Sequence, residues 1–319
     1  MHLRPSWLLL IALAAPGAFA GEVLQYEDLD TTQLAALDPA TTVVLVPGGI
    51  LEEHGPYLPS GTDTLVSRDI TDAVARAIVQ RTTRTVLVLP TVYLGPDGAN
   101  VVGGRHPYPG SLNVHPATMR RVFMDYGDAL GEAGFRMVFV LHTHGAPRHN
   151  AALDEAGDYF HATWGGRMVS LLGLQAVKDS VRAARAVMSP EAIDAQGFSV
   201  HGAAQEHAMV LYLRPDLVDR GYLDAPDWRA GDREHMVELG QASDWPGYWG
   251  APRHSTRAMG EAIVTAMRAS AIAAALAIIQ GTDPATMPRV SDATRRSPAS
   301  PRDAAMRARQ DAWLEARAR

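Results

Sequence analysis

The chain contains no cysteine. That excludes disulfides, thiol nucleophiles and thiolate-ligated metals together. Any metal site must then be built from His, Asp and Glu. Excess positive charge is missing as well: 29 Lys and Arg stand against 35 Asp and Glu, a formal charge of -6. This argues against a general nucleic-acid surface, because phosphate binding needs a basic stripe. The chain has no G-x-S-x-G elbow of a serine hydrolase, no G-x-x-x-x-G-K-[ST] phosphate loop and no strand-linked G-x-G-x-x-G. The apolar run near the start, Trp7 to Ala15, is too short to cross a bilayer. Met1-His2-Leu3-Arg4 precedes it and Ala18-Phe19-Ala20 follows, so residues 1–20 read as a signal peptide. A secreted or periplasmic protein with no remaining membrane span is expected; the alternative is an uncleaved anchor.

What is present suits a globular enzyme. With 319 residues, 47% hydrophobic and 20% charged, the chain suits one large domain or two modest ones with an ample core. Strand-like runs are expected at Thr41–Val46, Thr85–Leu89, Arg136–Leu141 and Met168–Leu174. Helices are expected over Thr64–Gln80, Thr118–Ala133, His201–Leu213 and Ala258–Ile279. Alternation of the two predicts an α/β fold, a mostly parallel sheet covered on both faces. We place the folded domain at residues 21–282. From Asp283 onward a proline-punctuated linker leads to an Ala/Arg-rich helix over Arg302–Arg319. That helix is either a docking element for a partner or a loosely attached, solvated one.

The richest segment is Pro47 to Asp63, PGGILEEHGPYLPSGTD, directly after the first strand. Ligands of open α/β sheets gather at such strand ends. Glu52, His54 and Asp63 form an oxygen and nitrogen donor set of the kind that suits Zn²⁺ or Mn²⁺. A solvated acidic loop is the alternative for this segment taken alone. Another strand end leads into His142-Thr143-His144-Gly145, which suggests one ligand and one supporting residue. The glycine-rich stretch Gly95 to Gly104 leads to Arg105–Ser111, either a pocket wall or an irregular surface loop. In His201-Gly202-Ala203-Ala204-Gln205-Glu206, small residues leave room around Glu206 for a metal or substrate, and an ordinary solvent-facing Glu is the alternative.

These segments, in this order, resemble the creatinine amidohydrolase (creatininase) family. The first is similar to P-x-G-S-x-E-Q-H-G-P-H-L-P-x-x-T-D, matching at Pro47, Gly49, Glu52, His54, Gly55, Pro56, Leu58, Pro59, Thr62 and Asp63. His106 to Ser111 resembles H-x-x-F-P-G-T, and His142 to Gly145 falls where the family has N-G-H-G-G-N. His201 to Glu206 resembles H-A-G-E-x-E-T-S, and Leu213 to Val218 matches L-R-P-D-L-V. The resemblance implies a three-layer α/β/α sandwich and a site for two divalent ions, Zn²⁺ or Mn²⁺. It implies Glu52, His54, Asp63, His144 and Glu206 as ligands, with Asp63 bridging. It further implies a homo-oligomer, a hexamer by resemblance, and hydrolysis of a non-peptide C–N bond in a small amide, cyclic ones included. Water held between two metals has a lowered pKa, and His201 is expected to handle the leaving nitrogen's proton. His106, Ser111 and His142 are expected on the substrate side.

The chain departs from the family around the substrate. His142 replaces Asn, Tyr57 replaces His, Ala204 stands where Glu is frequent, and the Gly145–Asn150 stretch is longer, with Asn150 as the counterpart of the family Asn. An amide other than creatinine is therefore expected. Cleavage of a peptide or formyl amide by the same centre, and a non-catalytic metal-binding protein on this fold, are the alternatives.

Overall fold

The computed structural model describes residues 21–294 and 301–317; the expected signal peptide, residues 1–20, lies outside them. Six strands form one sheet: β1 (Val23–Gln25), β2 (Thr42–Gly49), β3 (Thr85–Val88), β4 (Val92–Tyr93), β5 (Met137–His142) and β6 (Arg167–Ser170). Their order is β1-β3-β2-β5-β6, and every pairing is parallel. β3 ends before Pro90, and β4 takes its place beside Gly48 and Gly49 of β2.

The helices of the N-terminal half are α1 (Thr31–Ala35), α2 (Thr62–Arg81), α3 (Pro116–Glu132) and α4 (Pro147–Trp164). They are followed by α5 (Leu174–Val187), α6 (Pro190–Gln196), α7 (Ala204–Leu213), α8 (Arg233–Gln241) and α9 (Arg257–Ile279). The tail carries α10 (Val290–Thr294) and α11 (Pro301–Arg317).

Side chains alternate across a strand, and the core divides by that parity. Val43 and Leu45 of β2 and Phe139 and Leu141 of β5 pack on α2 and α9 through Val66, Ile70, Val74 and Ile278. Val44, Val46, Val138 and Val140 pack on α3 and α4 through Met119, Phe123, Leu153 and Phe160. The result is the expected three-layer α/β/α sandwich. α9 is long and apolar enough, by length and composition, to cross a membrane; here it lies against α2, α5 and α7.

Several segments differ from expectation. β6 ends at Ser170, because Leu174 already opens α5. α7 starts at Ala204 rather than His201, since Gly202 has φ +63° and turns the chain out of helical geometry. α4 was not legible from periodicity: its buried face is carried by Ala152, Ala156 and Gly157 as much as by Leu153 and Phe160. Of the expected linker from Asp283, the first part is a short 3₁₀ turn, Pro284–Thr286, followed by α10 on the surface of α4, and residues 295–300 lie outside the described ones. Ser291 is buried there, with its hydroxyl on the Asp154 carboxylate.

Candidate metal centre

The carboxyl edge of the sheet gathers the polar residues. Glu52, Glu53 and His54 sit on the loop leaving β2, Asp63 is in the first turn of α2, and His144 lies two residues beyond β5. His201 precedes α7, whose first turn holds Glu206. Gly49 makes the close approach possible: a Cβ there would stand 2.8 Å from the Asp63 Cβ.

His54 Nε2 is surrounded by Asp63 Oδ1 at 3.6 Å, Glu206 Oε1 at 3.7 Å and Glu52 Oε1 at 3.8 Å. His144 Nδ1 lies 3.1 Å from both Glu52 Oε1 and Asp63 Oδ2. His201 Nδ1 stands 3.6 Å from Glu52 Oε1 and 3.9 Å from Glu206 Oε2. Glu52, His54, Asp63, His144 and His201 are all buried, and Glu206 is the more open side. Three overlapping groups result: Glu52, His54 and His201; Glu52, Asp63 and His144; His54, Asp63 and Glu206. Within each, the ligand atoms lie within 4.8 Å of one another. All five residues expected as ligands meet here, and so does His201.

The far side of each ring is anchored on a backbone carbonyl. His54 Nδ1 donates to Glu52 O at 3.1 Å, and His201 Nε2 to Glu53 O at 2.5 Å. His144 Nε2 donates to Pro96 O at 3.1 Å and Asp97 O at 3.2 Å. A carbonyl only accepts, so these nitrogens carry the protons. The opposite nitrogens then aim their lone pairs at the carboxylates, the orientation that outer partners impose on metal-binding histidines. His54 Nε2 is buried with no hydrogen-bond partner. Asp63 Oδ2 is close to His144 Nδ1 without hydrogen-bond geometry. Two neighbouring lone-pair donors with nothing to share fit a cation between them.

The electrostatics agree. Burial opposes charge on His54, but Glu206, Asp63 and Glu52 hold its pKa well above the usual value. Burial likewise opposes charge on His144, and Glu52 and Asp63 overcome it. Against burial, His144 and His54 pull Asp63 far below the carboxylate range, and His54 brings Glu206 to about 2. Ionised carboxylates facing basic imidazoles demand positive charge, as protons or as metal. The oxygen and nitrogen donors suit Zn²⁺ or Mn²⁺.

The other expected residues lie around this cluster. Ser111 accepts from the Glu53 N–H at 3.1 Å and its hydroxyl donates to the Glu53 carboxylate. Burial, then the neighbouring Glu52, pushes that carboxyl up to about 8. His106 is half-buried, with Nδ1 3.1 Å from Asn100 Nδ2. Burial and Arg302 lower its pKa. His142 is not brought to the cleft. It shares the parity of Val138 and Val140, so it points at the α3/α4 layer, edge-on to Phe123 at 5.2 Å and 3.2 Å from His149 Nε2. Asn150 serves from α4: its Nδ2 donates to His144 O at 3.2 Å and Ala146 O at 2.9 Å, tying the turn that carries His144.

Sequence reasoning gave Glu53 no role and missed His149 and the Pro96–Asp97 carbonyls. Glu53 was visible as the neighbour of Glu52 and His54. His149 required α4 to be recognised, and Pro147 at the first helical position was its signal. Backbone carbonyls leave no side-chain signal at all.

Comparison with known proteins gives one consistent result. The chain matches mycofactocin precursor peptide peptidase of Mycolicibacterium smegmatis at 30% identity over 112 residues, 35% of this chain and 43% of that protein. The match thus spans less than half of that relative's length. Creatinine amidohydrolase of Pseudomonas putida is 25% identical over 185 residues, 56% of this chain and 66% of that protein. A solved structure named Creatininase Mn superposes with a TM-score of 0.61 at 23% identity, covering 82% of this chain and 100% of that one. Likeness at that identity concerns the fold. The family model for creatinine amidohydrolase matches residues 27–275, most of the chain, and this chain therefore belongs to the creatininase family.

Proposed function

We propose that this chain is a secreted, divalent-metal-dependent amidohydrolase. One observation carries the reading: three carboxylates and three imidazoles converge in a buried cluster, and each ring is fixed from behind by a carbonyl. Glu52, His54, Asp63, His144 and Glu206 are the residues that would hold two ions, Zn²⁺ or Mn²⁺, and Asp63 belongs to two of the three donor groups. When bound, such ions supply a water of lowered pKa and polarise the carbonyl it attacks. Glu206, on the open side, faces the incoming substrate. The His201 Nε2–H on Glu53 O fixes that ring, leaving Nδ1 to take a proton and return it to the leaving nitrogen. Ser111 and His106 flank the substrate side, Ser111 through its bonds to Glu53.

A small amide other than creatinine is the substrate this reading favours, because the five ligand residues match the family motifs while Tyr57 and the Gly145–Asn150 stretch depart from them. A peptide amide is the second reading, supported by the 30% identity to a precursor-peptide peptidase. The deciding experiment purifies the protein without added metal, counts its Zn and Mn, then supplies creatinine, a panel of small amides and a panel of peptides. Two divalent ions per chain and turnover in one panel are expected. A metal-free protein inactive after Zn²⁺ or Mn²⁺ loading would overturn the proposal. Export with cleavage after Ala20 and homo-oligomeric assembly belong to the same proposal. Mass spectrometry should find Gly21 first in the mature chain, and light scattering should find a hexamer.

A further inference from the structure

The family match ends at residue 275, yet the chain beyond it is bound to the site. This tail follows α4 in reverse order. Arg289 pairs with Asp158, Ser291 bonds Asp154, and Asp303 pairs with Arg148. Asp303 is the one buried residue of α11. Its partner Arg148, in the first turn of α4, is shared. Nη1 donates to Asp303 Oδ2 at 2.5 Å, Nε donates to Asp97 Oδ2 at 2.7 Å, and Nη2 to Asp97 Oδ1.

Asp97 is no ordinary acceptor. Among the described residues it alone has positive φ without being glycine, at 66°. Such a conformation persists where the surroundings over-determine it, and a two-pronged guanidinium on the carboxylate does that. The Pro96 and Asp97 carbonyls hold His144 Nε2, and the Ala99 N–H donates to Glu52 Oε2 at 2.9 Å. One turn therefore orients two residues assigned to the metal centre.

We propose that Arg148 and Asp303 are positioning residues, through which the C-terminal extension straps the Pro96–Ala99 turn into the conformation that presents His144 and Glu52 to metal. The inference rests on the metal-centre reading above. Asp303 holds the guanidinium from one side, Arg148 holds Asp97 from the other, and the carbonyls of the turn fix the imidazole.

The test uses the full chain, with Zn²⁺ affinity measured by chelator competition and the absorption spectrum of the Co²⁺-loaded protein as a second readout. Arg148→Gln is expected to weaken Zn²⁺ binding about 10-fold, the low end for loss of an outer partner, and to change the Co²⁺ spectrum. Asp303→Asn, close in shape and safer for folding, is expected to do both to a smaller degree. The double variant should bind Zn²⁺ as Arg148→Gln does, since Asp303 acts only through Arg148. Arg148→Lys, which restores charge without the fork, should recover thermal stability but not affinity. Parent-like Zn²⁺ affinity and Co²⁺ spectrum in both single variants would overturn the strap, leaving only a tail that stabilises the fold. A parent chain that binds no Zn²⁺ would instead remove the metal-centre reading, and the strap with it.

Discussion

His54 and His144 on one side, and His142 and His149 on the other, are all buried, and the rings of His144 and His149 lie only 5.0 Å apart. Their proton affinities nevertheless move in opposite directions. His54 and His144 face Glu52, Asp63 and Glu206 and are held well above the usual histidine value. Burial, reinforced by His144, takes His142 down to about 3; His149 is likewise pushed well down by burial and its histidine neighbours. Burial alone disfavours the charged form in all four. What stands opposite the lone pair decides the outcome. A carboxylate makes the imidazole a binder of protons or metal; Phe123 and a second imidazole make it a neutral packing group.

That contrast can be broken at several points, the largest first. Asp63 belongs to two of the three donor groups. Asp63→Ala should remove bound metal and nearly all activity, as read by metal analysis and turnover; full activity would end the metallohydrolase reading. His201→Ala should keep its metal and lower kcat about 10²–10⁴-fold, the share of a positioned proton carrier. If that variant loses metal instead, His201 is a sixth ligand and its proton-transfer role fails.

On the neutral side, His142→Leu should keep its metal and bind it with unchanged affinity. It should lose about 1–3 kcal/mol of stability, because His149 is left buried without its partner. Denaturation and chelator competition on the same variant separate the two effects. Loss of metal would mean that the two histidine pairs are not independent.

The pH dependence sharpens the comparison further. In the metal-free protein His54 and His144 have raised folded pKa values. Their contribution to stability is full below the unfolded value of about 6.5 and is lost as pH rises through the folded values. Metal takes the place of those protons. The gain in Tm on adding Zn²⁺ should therefore grow as pH rises above neutrality, and a constant or shrinking gain would contradict the assignment. Glu53→Gln should have the smallest effect. In the metal-free protein burial and Glu52 raise this carboxyl to about 8, so an amide in its place should leave the uptake of metal near pH 7 little changed. Parent and variant should diverge as pH rises through about 8, where Glu53 ionises. A large loss at pH 7 would show that Glu53 acts as a carboxylate.

Periodicity was enough for a mostly parallel sheet covered on both faces, since the apolar runs of β2, β3 and β5 and the four-residue spacing in α2 leave little choice of face; the three-layer sandwich was what the family resemblance implied. Local spacing also brought out Glu52, His54 and Asp63, which lie on one loop and the helix turn that follows it. Position at an element end made His144 and Glu206 candidates, and the resemblance to the creatininase family was what named them as ligands. His142 was different. Its neighbour His144 has the same local chemistry, but His142 is still within β5 and keeps the facing of Val138 and Val140, whereas His144 lies beyond the strand end and is free of it. α4 stayed hidden because alanine and glycine carry much of its buried face, and the role of the tail stayed hidden for a related reason. The contacts Asp303–Arg148 and Arg289–Asp158 join residues more than a hundred positions apart, beyond the reach of any local pattern. The sequence by itself determined which residues are chemically able to hold a metal and which runs must be buried. The tertiary structure decided which imidazoles meet a carboxylate and which meet a ring, because proton affinity in a buried site depends on the group across the gap, and that group comes from another part of the chain.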